Sequence, residues 1–241
     1  MTRLDDPALV AREYADEARL RRRASAYTDG AGGEDARVFI VAAVAELRPD
    51  RVLEVGCGWG ELAAWIARET DAEVTAVDLS PRMVELAVQH GVDANVADVQ
   101  ELPFTDGSFD VAVAAWMLYH VPDRERAVGE LARVLRPGGR LVAATNSTTH
   151  LHELRELVGS GPSTIAFSRE SGEELLARRF ATIDRHDVDG ELVFAHRAEA
   201  EEYVRASISM SPFVDNLPDT IEEPFVARRA TSVFVADKAG S

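Results

Sequence analysis

Three short stretches of this 241-residue chain carry side chains whose types and spacing suit chemistry. The first is Gly56-Cys57-Gly58-Trp59-Gly60, with Glu54 before it and Glu61 after it. It follows the β-branched run 51–55. A strand that ends in close glycines and feeds a helix brings bare backbone up to a ligand. Three such glycines can also simply make a tight strand–helix connection. Dinucleotide-binding turns look similar, but they would carry glycine at position 61, where this chain has Glu61. A pyrophosphate gains from a helix N-terminus clear of acids, so Glu54 and Glu61 suit a cationic ligand better.

The second feature is a pair of acids at strand ends. Asp78 lies about 20 residues beyond the turn, where a carboxylate can accept hydrogen bonds from ribose hydroxyls. It could instead cap the next helix, but Ser80 followed by Pro81 already supplies that cap. Asp98 closes a third, weaker strand and suits an adenine amino group; the alternative is a solvated loop acid. The third feature is His120, just past the most apolar run, 109–115. Ligands of parallel sheets sit beyond the carboxyl ends of strands, and imidazole titrates near neutrality. His120 is therefore the candidate general base, or else a rim histidine bonded to a loop. His150 follows the next strand and can face the same pocket. It stands two residues from His152, so on a helix the pair diverges, and no metal site is expected.

The elements that must position these residues alternate. Residues 7–26 read as one charged amphipathic helix, with Leu9, Val10, Tyr14 and Ala18 near one face. A glycine break (Gly30, Gly32, Gly33) precedes a helix over 34–47. Strands at 51–55, 73–77, 94–97, 109–115 and 140–144 alternate with helices at 61–68, 81–90 and 123–135. That alternation predicts an α/β fold with a doubly wound parallel sheet. The last third is less regular. Ser171 and Glu174 have capping-box spacing. Strands are expected at 180–188 and 231–236, with a helix at 198–208 between them and an insertion over about 190–228 covering the active edge. Residues 197–223 carry seven acids against two arginines. One domain is expected over 1–241: N-terminal helices at about 7–47, a ligand-binding core at 51–145, a substrate-side region at 146–228 and a final strand at 231–236.

Bulk properties remove several classes. Net charge is −16, which opposes binding to nucleic-acid backbones, and the triplet Arg21-Arg22-Arg23 reads as a solvated helix face. Cys57 is the only cysteine, so neither an intrachain disulfide nor a cysteine-rich zinc site can form. Lys238 is the only lysine and is far from every glycine turn, which removes a Walker-type phosphate loop. No apolar stretch approaches the roughly 20 residues that span a bilayer. The N-terminus, Met1-Thr2-Arg3-Leu4-Asp5-Asp6, has acids where a signal peptide needs a basic flank. A cytoplasmic protein with no membrane partner is expected, of unassigned oligomeric state.

Four segments together resemble a known family. VLEVGCGWG (52–60), AVDLSPRMVELA (76–87), ADVQELPFTDGSFDVAVAAWMLYHVPD (97–123) and ELARVLRPGGRLV (130–142) are similar to the successive motifs of class I S-adenosylmethionine-dependent methyltransferases. The nearest resemblance is to the small-molecule enzymes of ubiquinone and menaquinone biosynthesis. It implies a Rossmann-like sheet of seven strands in the order 3-2-1-4-5-7-6, the last strand antiparallel, with helices on both faces and a small cap. It also implies S-adenosyl-L-methionine as cofactor. Glu54, Gly56 and Gly58 would then border its methionine end, Asp78 would hold the ribose, and Leu79 and Met83 would pack near the adenosine. Asp98 and Val99 would flank the adenine, and Ala115 would lie beneath the methionine part. The run Thr145-Asn146-Ser147-Thr148-Thr149-His150 resembles a subgroup with a Thr-Asn-Gly-x-x-His loop, with Ser147 in place of the glycine.

Methyl transfer from a sulfonium is an in-line displacement that asks the protein for alignment and a dry site. A base is needed only where the acceptor must lose a proton. The expected acceptor is a small molecule methylated on oxygen, nitrogen or carbon, in natural-product or cofactor biosynthesis. Tyr14, Tyr27, Tyr119, Tyr203, Met210 and Phe213 are candidate pocket walls beside His150, or else ordinary core. The acid-rich insertion favours a neutral or cationic acceptor. The rival readings are a nicotinamide-dependent oxidoreductase and a non-catalytic S-adenosylmethionine-binding partner protein.

Overall fold

Apolar runs separated by capped helices build the chain, and the caps explain most of the boundaries. In chain order the elements begin with α1 (Pro7–Glu13), α2 (Ala18–Asp29), β1 (Ala31–Gly33), α3 (Ala36–Glu46), β2 (Arg51–Val55) and α4 (Glu61–Glu69). They continue with β3 (Glu73–Asp78), α5 (Pro81–Gln89), β4 (Asp93–Val96), β5 (Phe109–Ala115), α6 (Arg124–Val134) and β6 (Leu135–Asn146). The last are α7 (His152–Leu157), α8 (Gly172–Leu176), β7 (Thr182–Phe194), α9 (Arg197–Ala206) and β8 (Phe225–Asp237). This computed structural model describes residues 4–15, 17–29 and 31–240. Met1 to Arg3 of the stretch read for a signal sequence, and Gly30 of the glycine break, lie outside them.

The eight strands form one sheet in the order β1-β7-β8-β6-β5-β2-β3-β4. Read from β4, this is the expected 3-2-1-4-5-7-6 arrangement with one short strand added at the far edge. The added strand is the glycine run: Ala31, Gly32 and Gly33 pair antiparallel with Leu192, Glu191 and Gly190. Side-chain-free backbone can lie flat against the partner strand, so what reads as a break becomes an edge. β8 runs antiparallel between β6 and β7, as expected.

Alternation along the strands divides the core. Leu53 packs with Phe109, Leu131, Phe167 and Phe234 on the α6 and α8 side. Its neighbour Val52 packs with Ile40, Val44, Ile66 and Val233 on the α3 and α4 side. β5 is buried on both faces, as a central parallel strand must be. β7 and β8 run past the ends expected for them and pair from Thr182–Asp237 out to Phe194–Phe225. Their extension carries α9 and a 3₁₀ turn at Ser211–Asn216. A third cluster of Leu151, Leu154, Phe194, Tyr203 and Met210 fixes this insertion against Tyr27 of α2.

Two local expectations need correction. The helix over 7–26 is two helices, because Tyr14 leaves the helical path. Its carbonyl accepts from Ser80 Oγ at 2.7 Å, and its side chain crosses to His120. Ser171 precedes α8 without a side-chain cap; its hydroxyl instead donates to the Ala166 carbonyl at 3.2 Å. No helix among the described residues is long and apolar enough to cross a membrane.

Candidate active site

β2 delivers the glycine turn, and β3 holds it. Gly56 and Cys57 donate backbone N–H bonds to the Val77 carbonyl at 2.8 and 3.1 Å. Gly58 N–H donates to Asp78 Oδ2 at 2.9 Å, and Ser80 N–H donates to Oδ1 at 2.8 Å. Asp78 thus shapes the turn while its remaining lone pairs face the cavity. Ser80 caps α5, its Oγ accepting from Met83 N–H at 3.4 Å, so Asp78 is not spent on that task. Gly56 has φ +67°, and a Cβ there would fall 2.7 Å from Met117 Cβ. Gly60 has φ +83° and lets Ala87 of α5 approach to where a Cβ would meet it at 2.9 Å. Only glycine meets both demands.

Glu54 is buried, and its Oε2 has no hydrogen-bond partner among the described residues. Burial pushes its carboxyl up to about 8; the nearby Asp78 charge adds to this, and a backbone bond from Ala63 opposes it. Burial likewise raises Asp78 above the ordinary carboxylate range. A buried acid and a half-buried one thus border an open cavity of about 300 Å³, and the arginines in its lining, Arg23 and Arg37, are already paired with Glu13 and Asp35. Farther along the cavity, Leu79 is exposed, 54% of its surface being free, as an apolar platform would be. Asp98 accepts from Gln100 N–H at 2.8 Å and from its side-chain amide at 3.0 and 3.1 Å. Val99 and Ala115 also line the cavity.

Tyr14, Arg23, Tyr119 and His120 also line the cavity. Tyr14 Oη lies 2.9 Å from His120 Nε2, and His120 Nδ1 lies 2.8 Å from the Leu4 carbonyl. A carbonyl can only accept, so Nδ1 carries the proton and Nε2 accepts from the tyrosine. Burial pulls His120 down to about 4 and pushes Tyr14 up to about 12, so both are neutral at physiological pH. Arg23 pairs with buried Glu13 at 2.5 Å and donates to the Ala206 carbonyl at 2.6 Å. Arg82–Glu17 and Arg124–Asp5 ion pairs, each 3.2 Å, fasten the N-terminal segment over the cavity.

Residues 53–143 match the family described as "Methyltransferase domain". The chain contains a methyltransferase domain of the S-adenosylmethionine-dependent kind. It is 45% identical over 100 residues to the 27-O-demethylrifamycin SV methyltransferase of Amycolatopsis mediterranei, covering 38% of this chain and 37% of that one. It is 42% identical over 120 residues to the ubiquinone biosynthesis O-methyltransferase of Xanthomonas oryzae pv. oryzae, covering 47% of this chain and 50% of that one. The chain thus spans half or less of the length of these curated relatives. Among solved structures, the cyclase SpnF superposes with a TM-score of 0.66 at 22% identity, over 96% of both chains, which is a likeness of fold.

Several expected pocket residues lie elsewhere around the methyltransferase domain. Met83 is fully buried in the core and does not reach the cavity lining. Tyr27, Tyr203 and His150 form a second polar cluster outside the lining. Tyr27 Oη stands 2.9 Å from His150 Nε2 and 3.1 Å from Tyr203 Oη. The packing of α2 against α9 draws them there. Phe213 is half-buried and Met210 buried in the same apolar cluster under the insertion. Cavity residues not singled out from the sequence include Arg23, Gln100 and Met117. Arg23 was hidden in a triplet read as solvated. Arg22 does pair at the surface with Glu202 and Arg21 stacks over Trp59, but Arg23 turns inward to Glu13. The placement of Gln100, two residues after Asp98, was the available signal for it.

Proposed function

We propose that the whole chain transfers the methyl group of S-adenosylmethionine to a hydroxyl oxygen of a small molecule. The observation that carries this reading is the buried Oε2 of Glu54, unpartnered among the described residues, beside Asp78 in a cavity that His120 also lines. A cation answers the charge deficit at the turn, and a proton acceptor in the same cavity answers the need of a hydroxyl nucleophile. When bound, the cofactor supplies a methyl group activated on a positively charged sulfur. Glu54 would receive the ammonium of its methionine part, and Asp78 the ribose hydroxyls. Asp98 and Gln100 would meet the polar edge of the adenine, with Leu79 and Val99 against its faces. The N-terminal segment excludes water, and His120 finally gains a proton for the one that leaves the acceptor.

An oxygen acceptor is supported by two relatives whose names specify O-methylation. The nicotinamide alternative is disfavoured by physics at the turn: a pyrophosphate there would face Glu54 and Asp78, while Arg23 and Arg37 of the lining are taken up by Glu13 and Asp35. A protein that binds the cofactor silently would not need a histidine tautomer fixed toward the cavity. We place the protein in the cytoplasm.

The test is to incubate the protein with isotopically methyl-labelled cofactor and small-molecule extracts of the source organism, then look by mass spectrometry for transferred label. Label on a hydroxyl oxygen is expected; label on carbon or nitrogen would overturn the acceptor class, and no transfer would overturn the activity. Asp78→Ala should weaken cofactor binding by about 1–3 kcal/mol in calorimetry, and unchanged affinity would remove Asp78 from the ribose role.

A further inference from the structure

The methyl-transfer reading leaves one question of connectivity. His120 Nε2, the only ring nitrogen with a free lone pair, is already occupied by Tyr14 Oη at 2.9 Å. An acceptor hydroxyl in the cavity therefore cannot reach the imidazole directly while the N-terminal segment is in place. It can reach Tyr14, which lines the cavity and whose oxygen, donating to His120 and accepting from Arg23, has one acceptor site left.

We propose that Tyr14 is a catalytic residue: its hydroxyl takes the acceptor's proton while its own proton passes to His120 Nε2. This rests on the methyl-transfer reading above. The balance closes. The acceptor O–H breaks and an oxygen–methyl bond forms; the carbon–sulfur bond breaks and its electron pair stays on sulfur. The acceptor proton ends on Tyr14, and the former Tyr14 proton ends on His120 as imidazolium. The positive charge lost from sulfur reappears on the imidazole, so the net charge of the buried site is unchanged through the reaction. That matters where burial makes each uncompensated charge costly.

The geometry supports a built relay. Leu4 fixes the tautomer through its carbonyl, and Tyr119 packs edge-on to the imidazole with centroids 4.5 Å apart. Tyr14 is held from both ends, its carbonyl by Ser80 Oγ and its hydroxyl by His120. Because Ser80 also donates to Asp78, the segment that brings the tyrosine is tied to the residue assigned to the ribose. Arg23, with its charge balanced by Glu13, sits beside the tyrosine and is placed to steady a developing oxyanion. The groups facing His120 are Tyr14, Tyr119, Arg23 and the Leu4 carbonyl. Among the described residues none of these is a carboxylate; Glu13 and Asp78 act on Tyr14, which burial above all raises, so it holds its proton until it donates it to His120.

The experiment uses the full chain with S-adenosylmethionine and two probes, catechol, which is un-ionised at neutral pH, and 4-nitrocatechol, which is largely ionised. A relay is needed only for the first. Tyr14→Phe should lower kcat on catechol by about 100-fold and on 4-nitrocatechol by less than about threefold. An equal loss on both probes would mean a purely structural tyrosine, and no loss on catechol would remove it from the reaction; either overturns the proposal. Nitrogen-15 NMR of histidine-labelled protein with bound cofactor gives a second readout that does not depend on turnover. His120 is expected as the Nδ1-protonated tautomer, with an Nε2 resonance that moves in Tyr14→Phe. A proton on Nε2, or a resonance indifferent to the substitution, overturns the relay. If the cofactor binds and neither probe is methylated, the hydroxyl-acceptor reading fails on that arm, and the NMR result alone decides the pair.

Discussion

Two histidines in this protein each share a tyrosine hydroxyl at 2.9 Å, His120 with Tyr14 and His150 with Tyr27. Both are buried, and burial pulls both imidazoles down, to about 4 and about 3. Their surroundings differ. His120 gives its Nδ1 proton to a carbonyl and so presents a lone pair to its tyrosine. The Nδ1 of His150 faces both backbone groups of Ala230, the N–H at 3.1 Å and the carbonyl at 3.3 Å, and Tyr27 Oη joins its Nε2 to Tyr203 Oη. The first pair borders the cavity and can receive a proton; the second lies in the seam between α2, α9 and β8 and holds that seam together. Identical residue types at identical distance do different work because one pair borders the cavity and the other is packed where α2, α9 and β8 meet.

The largest expected effect separates the pairs. His120→Ala should lower kcat by about 10²–10⁴-fold with little loss of stability. His150→Ala should leave a larger share of activity but lose about 1–3 kcal/mol in urea unfolding, because Ala230 and Tyr27 lose buried partners. Equal activity losses would erase the distinction. A smaller effect sharpens it. Tyr27→Phe takes a buried partner from both His150 and Tyr203 and should cost about 1–2 kcal/mol. Tyr14→Phe leaves only an unfilled lone pair on His120 and should cost less.

Much of the difference was invisible in the sequence. The strands at 51–55 and 109–115 and the Ser80-Pro81 helix start were legible because they follow from local periodicity and capping, whereas the order of the sheet came from the family resemblance. The glycine turn with Asp78 and Asp98 was legible for the same reason, since each sits at a strand end. The break at Tyr14 was not, because helical periodicity continues through it and only the pull of Ser80 and His120 ends the helix. The inward turn of Arg23 depended on Glu13 being buried opposite it. The His120 tautomer could not be read from residue types, since the deciding group, the Leu4 carbonyl, is a backbone atom brought in by the fold.

Stability of the ligand-free protein should depend on pH in two opposed ways. His150 is held below its unfolded value, so the stability tied to its neutral form is present above about pH 6.5 and is lost as pH falls toward about 3. Glu54 is held above its unfolded value, so stability tied to its protonated form is lost as pH rises from about 4.5 through about 8. Glu54→Gln should flatten the alkaline side by an amount on the order of 3 kcal/mol in urea titrations, while His150→Ala should flatten the acid side. An alkaline limb unchanged in Glu54→Gln would remove the buried acid from this role.

The central claim is that the glycine turn and its two acids are built for a cationic methyl donor. Calorimetric titration with S-adenosylmethionine at pH 7, run in two buffers of different ionisation heat, tests it directly. The cofactor's charge should ionise Glu54, so binding is expected to release up to about one proton, and Glu54→Gln should bind more weakly with no release. Absence of binding, or binding without proton release in the native chain, would contradict the account.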